Sequence, residues 1–136
     1  MASMEKKNSL LIVDDDTSNL MALIHILQLE YKIFTAKNGS SALRIAENSL
    51  PDLILLDIIM PDMDGFKVIA ELKKSDSTKS IPVIFMTGLS DKSHENEGLA
   101  LGAVDYICKP FSAEVVKCRV GQQIKTINLQ RDLGQP

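Results

Sequence analysis

Five short strand-like runs separated by helical patterns constrain this chain more than any other feature. The runs are Leu10–Val13, Lys32–Ala36, Leu53–Leu56, Val83–Met86 and Tyr106–Cys108. Four of the five are nearly all apolar rather than alternating, which is how strands covered on both faces read. Between them, apolar residues recur at helical spacing: Leu20, Leu23, Ile24 and Leu27, then Ala42, Ile45 and Ala46, then Phe66, Ile69 and Leu72. Ser40 or Ser41 is the expected cap of the second helix, after Gly39. The segment 91–101 is polar, with only Leu99 and Leu101 to anchor it, so its helix should be short and mobile. A last helix begins near Ser112 and carries Val116, Val120, Ile124 and Ile127. This β-α alternation predicts an α/β fold with a parallel sheet, right-handed crossovers and helices on both faces.

Four of the runs end in polar residues: Asp14 and Asp15 after LLIV, Asp57 after LILL, Thr87 after VIFM and Lys109 after YIC. Parallel strands finish at one edge of their sheet, and ligands bind in the crevice outside those carboxyl ends where the strand order reverses. Three carboxylates, a hydroxyl and an ammonium are what is needed to bind a divalent cation and accept a phosphoryl group on aspartate. Taken singly, each has a plainer explanation: a helix cap, a solvated lysine or an ordinary strand end. Their coincidence at one edge favours a site.

The length of 136 residues suits one domain with a proper core. Hydrophobic residues at 45% and charged residues at 24% argue against disorder. A net charge of -3 gives no electrostatic case for nucleic-acid binding. Uninterrupted apolar runs fall far short of the roughly 20 residues that span a bilayer. The N-terminus has no apolar stretch behind its charges, so it is not a secretory signal. Cys108 and Cys118 read as reduced, structural residues, and the cytoplasm is the expected compartment. His25 and His94 lack the setting of a phosphodonor and read as surface or boundary residues.

Together the motifs resemble the receiver domain of a two-component response regulator. They are Leu11-Ile12-Val13-Asp14-Asp15-Asp16, Asp57-Ile58-Ile59-Met60-Pro61-Asp62-Met63-Asp64-Gly65, Thr87-Gly88 and Lys109-Pro110-Phe111, in order and at the right spacing. The resemblance implies a flavodoxin-like, doubly wound five-stranded parallel sheet of order 2-1-3-4-5 with five helices. It places a tail at 1–8, the receiver at 9–128, and a helix extension or linker at 129–136. That last piece reads as a cut from a longer protein, with any output enzyme beyond residue 136; similar endings resemble receivers joined to diguanylate cyclases or histidine kinases.

The resemblance also implies the roles. Asp57 is the phosphoacceptor. Asp15, Asp57 and the backbone carbonyl of Ile59 hold Mg²⁺ or Mn²⁺, and Asp14 acts mainly through a bound water and Lys109. Lys109 and Thr87 contact the phosphoryl oxygens, and Lys109-Pro110 matches the family's cis peptide bond. Thr87 and Tyr106 form a switch read on the helix 4–strand 5–helix 5 face. Asp62 and Asp64 read as turn and N-cap residues and Asp16 as helix entry. The implied partners are a histidine kinase or histidine phosphotransfer protein and an output domain or downstream protein. A homodimer of the phosphorylated form is also implied, with neither nucleic acid nor membrane bound by this domain. Ile59 and Leu89, both apolar, flank the path of an attacking water and cannot orient it, which predicts slow loss of phosphate.

Three other functions stand beside this one. A phosphatase of the related aspartate-phosphate type has a second Asp two residues after its nucleophile, where this chain has Ile59. A degenerate receiver acting only by binding would lack Asp57, Lys109 or one of the acidic pair, and all are present. A flavin or nucleotide binder should show a phosphate loop after the first strand, where Asp14, Asp15 and Asp16 would instead repel phosphate.

Overall fold

The computed structural model describes residues 7–88 and 92–134. Strands and helices alternate as β1 (Ser9–Val13), α1 (Thr17–Leu27), β2 (Lys32–Ala36), α2 (Gly39–Ser49) and β3 (Leu53–Asp57). The chain continues as α3 (Gly65–Lys74), β4 (Val83–Gly88), α4 (Lys92–Ala100), β5 (Asp105–Lys109) and α5 (Ala113–Gly134). The strands form one sheet of order β2-β1-β3-β4-β5, every pair parallel.

Alternation along each strand decides which helices cover which face. Leu10, Ile12, Leu53, Leu55, Ile84 and Met86 pack with Leu20, Leu23 and Leu27 of α1 and Val116, Val120, Ile124 and Ile127 of α5. Leu11, Val13, Ile54, Leu56, Val83 and Phe85 turn the other way, toward Ala42 and Ala46 of α2 and Val68, Ile69 and Leu72 of α3. The apolar runs of β1, β3 and β4 feed two cores at once, which is why they do not alternate in hydrophobicity. Each such side chain, fully buried, contributes about 1.5–3 kcal/mol.

The helices begin where side chains meet their free N–H groups. Asp16 accepts from the N–H groups of Ser18 and Asn19 at α1, and Asp64 from that of Lys67 at α3. At α2 the cap is Asn38, whose side chain accepts from the Ser41 N–H at 2.8 Å, not Ser40 or Ser41 as the sequence suggested. The cap lies two or three residues earlier because Gly39 itself is the first residue of the helix.

α4 departs from expectation in its anchor. It spans nine residues. Leu101 does pack against the core, but Leu99 is 42% exposed and the buried residue of α4 is Gly98. A Cβ at Gly98 would sit 2.3 Å from Phe85 Cε1 and 2.4 Å from its Cζ, so α4 lies against the sheet at a distance only glycine permits.

α5 runs unbroken past Ile127 to Gly134. Its last turns are tied to the amino-terminal edge of the sheet, with Arg131 donating to Asp52 at 2.5 Å and Asn8 to Asn128 at 3.1 Å.

Candidate functional site

Sheet register brings the predicted residues to one edge. Val13 pairs with Leu56, which sets Asp14 level with Asp57; Asp57 pairs with Met86, and Thr87 with Cys108. Asp57, Thr87 and Lys109 lie within their strands' final residues, not beyond them as the sequence suggested, because β3, β4 and β5 keep pairing one or two residues further.

Asp14, Asp15 and Asp57 each offer a carboxylate oxygen, all within 4.8 Å of one another. Asp14 and Asp57 are buried, and Asp15 is exposed. Lys109 Nζ lies 3.1 Å from Asp57 Oδ1 and 3.4 Å from Asp14 Oδ2. The Lys109–Pro110 peptide bond is cis. Asp57 Oδ1 also accepts a long bond from the Ile59 N–H at 3.4 Å, while Asp14 Oδ1 accepts from the Asp16 N–H at 2.9 Å.

These contacts do not balance the charge. Burial first, and then the Asp14 carboxylate, raise the Asp57 pKa to about 6, with Lys109 and the Ile59 N–H pulling the other way. Burial opposes the charge on Lys109, yet its bond to Asp57 and the charges of Asp57 and Asp14 outweigh that and raise its pKa. Asp14 Oδ2 makes its close approach to Lys109 without a well-formed hydrogen bond, and the buried Thr87 hydroxyl has no partner among the described residues. Native interiors rarely leave such groups unmet. A hard divalent cation fits this oxygen-rich, over-negative cluster, and an oxyanion beside it would give Thr87 and Lys109 an acceptor. Receiver domains bind Mg²⁺ through acidic residues, and Asp14, Asp15 and Asp57 form such a cluster here.

Of the remaining candidates, Tyr106 stacks on Phe85 with ring centroids 5.8 Å apart and 29° between planes. Hydrogen bonding to the Glu95 carboxylate, and its charge, raise the Tyr106 pKa. Ile59 is 66% exposed. Leu89 lies outside the described residues. His25 is exposed on α1, and His94 is half-buried with its ring edge-on to Phe66 at 5.5 Å. Both described cysteines are free. Asp62 lies in the bend before α3 and also accepts from the N–H groups of Gly39 and Ser40 in α2. Nothing in the sequence pairs positions 62 and 39; only the crossover geometry does. A separate cavity of about 610 Å³, lined in part by Asp52, Ile127 and Arg131, lies at the opposite edge of the sheet.

A doubly wound α/β domain with an acidic cluster, a lysine and a buried hydroxyl at its carboxyl edge is the architecture of a phosphoacceptor signalling domain. The family model of the response regulator receiver domain matches residues 10–120, and the chain belongs to that family. A Vibrio cholerae protein named "Probable cyclic di-GMP phosphodiesterase" is 45% identical over 112 residues, covering 82% of this chain and 25% of that protein. Response regulator PleD of Caulobacter vibrioides is 41% identical over 112 residues, again 82% of this chain and 25% of the other. The solved chemotaxis response regulator CheY4 of Vibrio cholerae superposes with a TM-score of 0.82 at 29% identity, covering 87% of this chain and 99% of that one. The chain thus spans about a quarter of the length of those two curated relatives.

Proposed function

We propose that Asp57 accepts a phosphoryl group from a histidine kinase or histidine phosphotransfer protein, and that the domain is a switch with no turnover beyond its own aspartate. The observation that carries this is the convergence of Asp14, Asp15, Asp57, Thr87 and Lys109 at one sheet edge, with Asp57 held against Lys109 at 3.1 Å.

A bond forms between an Asp57 carboxylate oxygen and phosphorus as the P–N bond of the donor phosphohistidine breaks; the electron pair leaves with the imidazole nitrogen, which takes up a proton. Asp15, Asp57 and the Ile59 carbonyl would hold Mg²⁺ or Mn²⁺, with Asp14 acting through a bound water. When bound, the ion supplies positive charge to the carboxylates and to the phosphoryl oxygens. Lys109 directs its ammonium at the oxygens where charge gathers, and Thr87 donates its unmet hydroxyl to another of them.

The signal would leave through α4, β5 and α5. Thr87 moving toward the phosphoryl group frees space on the side of Tyr106, whose ring rests on Phe85 two residues before Thr87. Phosphorylation shifts this equilibrium only by its differential interaction with the two states. Downstream, the reader of that face would be an output domain, a separate protein or a second copy of the chain. The tail at 1–8, receiver at 9–128 and extension from 129 remain the proposed boundaries, with cytoplasm as the compartment. No helix among the described residues is long and apolar enough to cross a membrane.

The test is intact mass after incubation with Mg²⁺ and a small phosphodonor. Wild type should gain roughly 80 daltons, the mass of a phosphoryl group, and Asp57→Asn should not. Equal gain in both proteins would remove Asp57 from the mechanism. Ile59, exposed beside Asp57, supports a long-lived phosphoaspartate because it cannot orient water. An unchanged hydrolysis rate in Ile59→Asn combined with Leu89→Glu contradicts that.

A further inference from the structure

We propose that Asp62 is a positioning residue: its carboxylate, seated on the N-terminus of α2, fixes the 58–64 loop so that the Ile59 backbone stays aligned with the cation and phosphoryl pocket. This rests on the phosphoacceptor function above and extends it to a residue outside the pocket.

The first turn of α2 shows how the contact is built. Helix starts leave N–H groups without intrahelical partners. Here the Ser41 N–H donates to Asn38 Oδ1 at 2.8 Å and the Ala42 N–H to the Asn38 carbonyl at 3.1 Å, both local. The Gly39 and Ser40 N–H groups instead donate to Asp62 Oδ1 and Oδ2, at 3.1 and 3.4 Å, across 23 and 22 residues of chain. One carboxylate thus spans two donors at the positive end of the helix dipole. Those bonds, that from Gly39 foremost, hold the Asp62 pKa below its ordinary value, so the contact is ionic at neutral pH.

A second contact beside it is steric. A Cβ at Gly39 would sit 2.8 Å from Met63 Cβ and 3.0 Å from Met63 Sδ, so the loop closes onto α2 only because residue 39 lacks a side chain. At its base the loop is pinned by the Gly65 N–H donating to the Ile58 carbonyl at 2.6 Å and the Ile58 N–H to Met86 at 3.2 Å. Asp64 is committed to α3 through the Lys67 N–H at 2.9 Å. Between base and tip stands Ile59, 66% exposed, with little side-chain packing to fix it. Its N–H reaches Asp57 Oδ1 at 3.4 Å. Ile58 and Met60 on either side of Ile59 are buried in the core and hold the inner part of the loop, and Asp62 pins the outer part, beyond Met60. The exposed Ser40 N–H can bond water instead, and Asn38 caps the helix whether or not Asp62 is present. The contact consequently matters more for where the loop lies than for whether α2 forms.

Full-length Asp62→Ala, Asp62→Asn and Gly39→Ala are compared with wild type in three measurements. These are Mn²⁺ affinity from the spin-resonance signal of free ion, phosphoryl uptake by intact mass, and melting without metal. Asp62→Ala should bind Mn²⁺ about tenfold more weakly, the low end for groups that orient metal ligands, and take up phosphate correspondingly slowly. Asp62→Asn keeps an accepting oxygen and should recover most of both. Gly39→Ala, which pushes Met63 away and also crowds the buried Val68 at 3.1 Å, should weaken Mn²⁺ binding and lower the metal-free melting temperature, whereas Asp62→Ala should weaken Mn²⁺ binding with little change in that temperature. Wild-type affinity in Asp62→Ala overturns the assignment. So do equal losses in the Ala and Asn variants, the mark of missing charge alone. Failure of wild type itself to bind Mn²⁺ or gain phosphate overturns the phosphoacceptor reading instead.

Discussion

Gly98→Ala tests how α4 is held. Phe85, beneath it, is fully buried, with its ring edge-on to Phe66 at 6.4 Å and stacked on Tyr106 at 5.8 Å. The ring cannot turn aside for an added methyl without displacing both neighbours, so α4 must lift or the core must strain. Contacts as close as 2.3 Å place the cost in the upper part of the overpacking range, about 2–3 kcal/mol, while Ala in place of Gly inside a helix returns about 1 kcal/mol. The expected net loss is about 1–2 kcal/mol, measured as a lower urea midpoint with unchanged slope. Amide exchange in α4 should quicken more than in α2 or α3, since α4 has few other buried contacts. Phe85→Leu destabilises by itself but makes room. In the double variant the two effects should therefore fall short of their sum by about 1 kcal/mol. A Gly98→Ala protein as stable as wild type, or strict additivity with Phe85→Leu, refutes the close-contact account.

Asp57→Asn should stabilise the metal-free domain at neutral pH. The folded pKa of about 6 is raised from 3.8, so the contribution of Asp57 is fully present below about pH 4 and lost as pH rises through 6. Wild type should lose on the order of 2–3 kcal/mol across that window relative to Asp57→Asn in urea titrations, with millimolar Mg²⁺ narrowing the gap; parallel pH profiles would contradict the charge imbalance. Arg131→Ala should cost about 0.5–1 kcal/mol at pH 7, the pair being half open to solvent. Burial works against the Asp52 charge, but the Ser9 N–H, Arg131 and Asn8 together lower its pKa, so this stability is present above the unfolded value and fades as pH falls. An Arg131 contribution that persists unchanged in acid would rule that out. Thr87→Val should leave stability unchanged or raise it by up to about 1 kcal/mol, because the hydroxyl it removes is buried and unpaired among the described residues, while slowing phosphoryl uptake. A clear destabilisation in thermal melts would show that the hydroxyl has a partner after all.

Much of the fold was legible in the order of residues because strand and helix periods are local properties. The apolar runs located every strand to within one or two positions, and the α5 stripe of Val116, Val120, Ile124 and Ile127 is the set that is buried. Asp16 and Asp64 were readable as helix starts, since a cap bonds within three residues of itself. The acidic pair, Asp57, Thr87 and Lys109 were readable as candidates through the rule that parallel strands end together.

What the chain order alone determined, then, is the inventory of elements and the chemistry carried at their ends. The tertiary structure decided how those ends meet: the 3.1 Å approach of Lys109 to Asp57, the raised Asp57 pKa, and the unmet Thr87 hydroxyl all depend on register and burial. It also decided that Gly98, not Leu99, seats α4, and that Asp62 serves a helix 22 residues upstream. The reason is physical. Propensity, periodicity and capping act over a few bonds, whereas desolvation, close approach and cross-loop hydrogen bonds exist only once distant segments share one space.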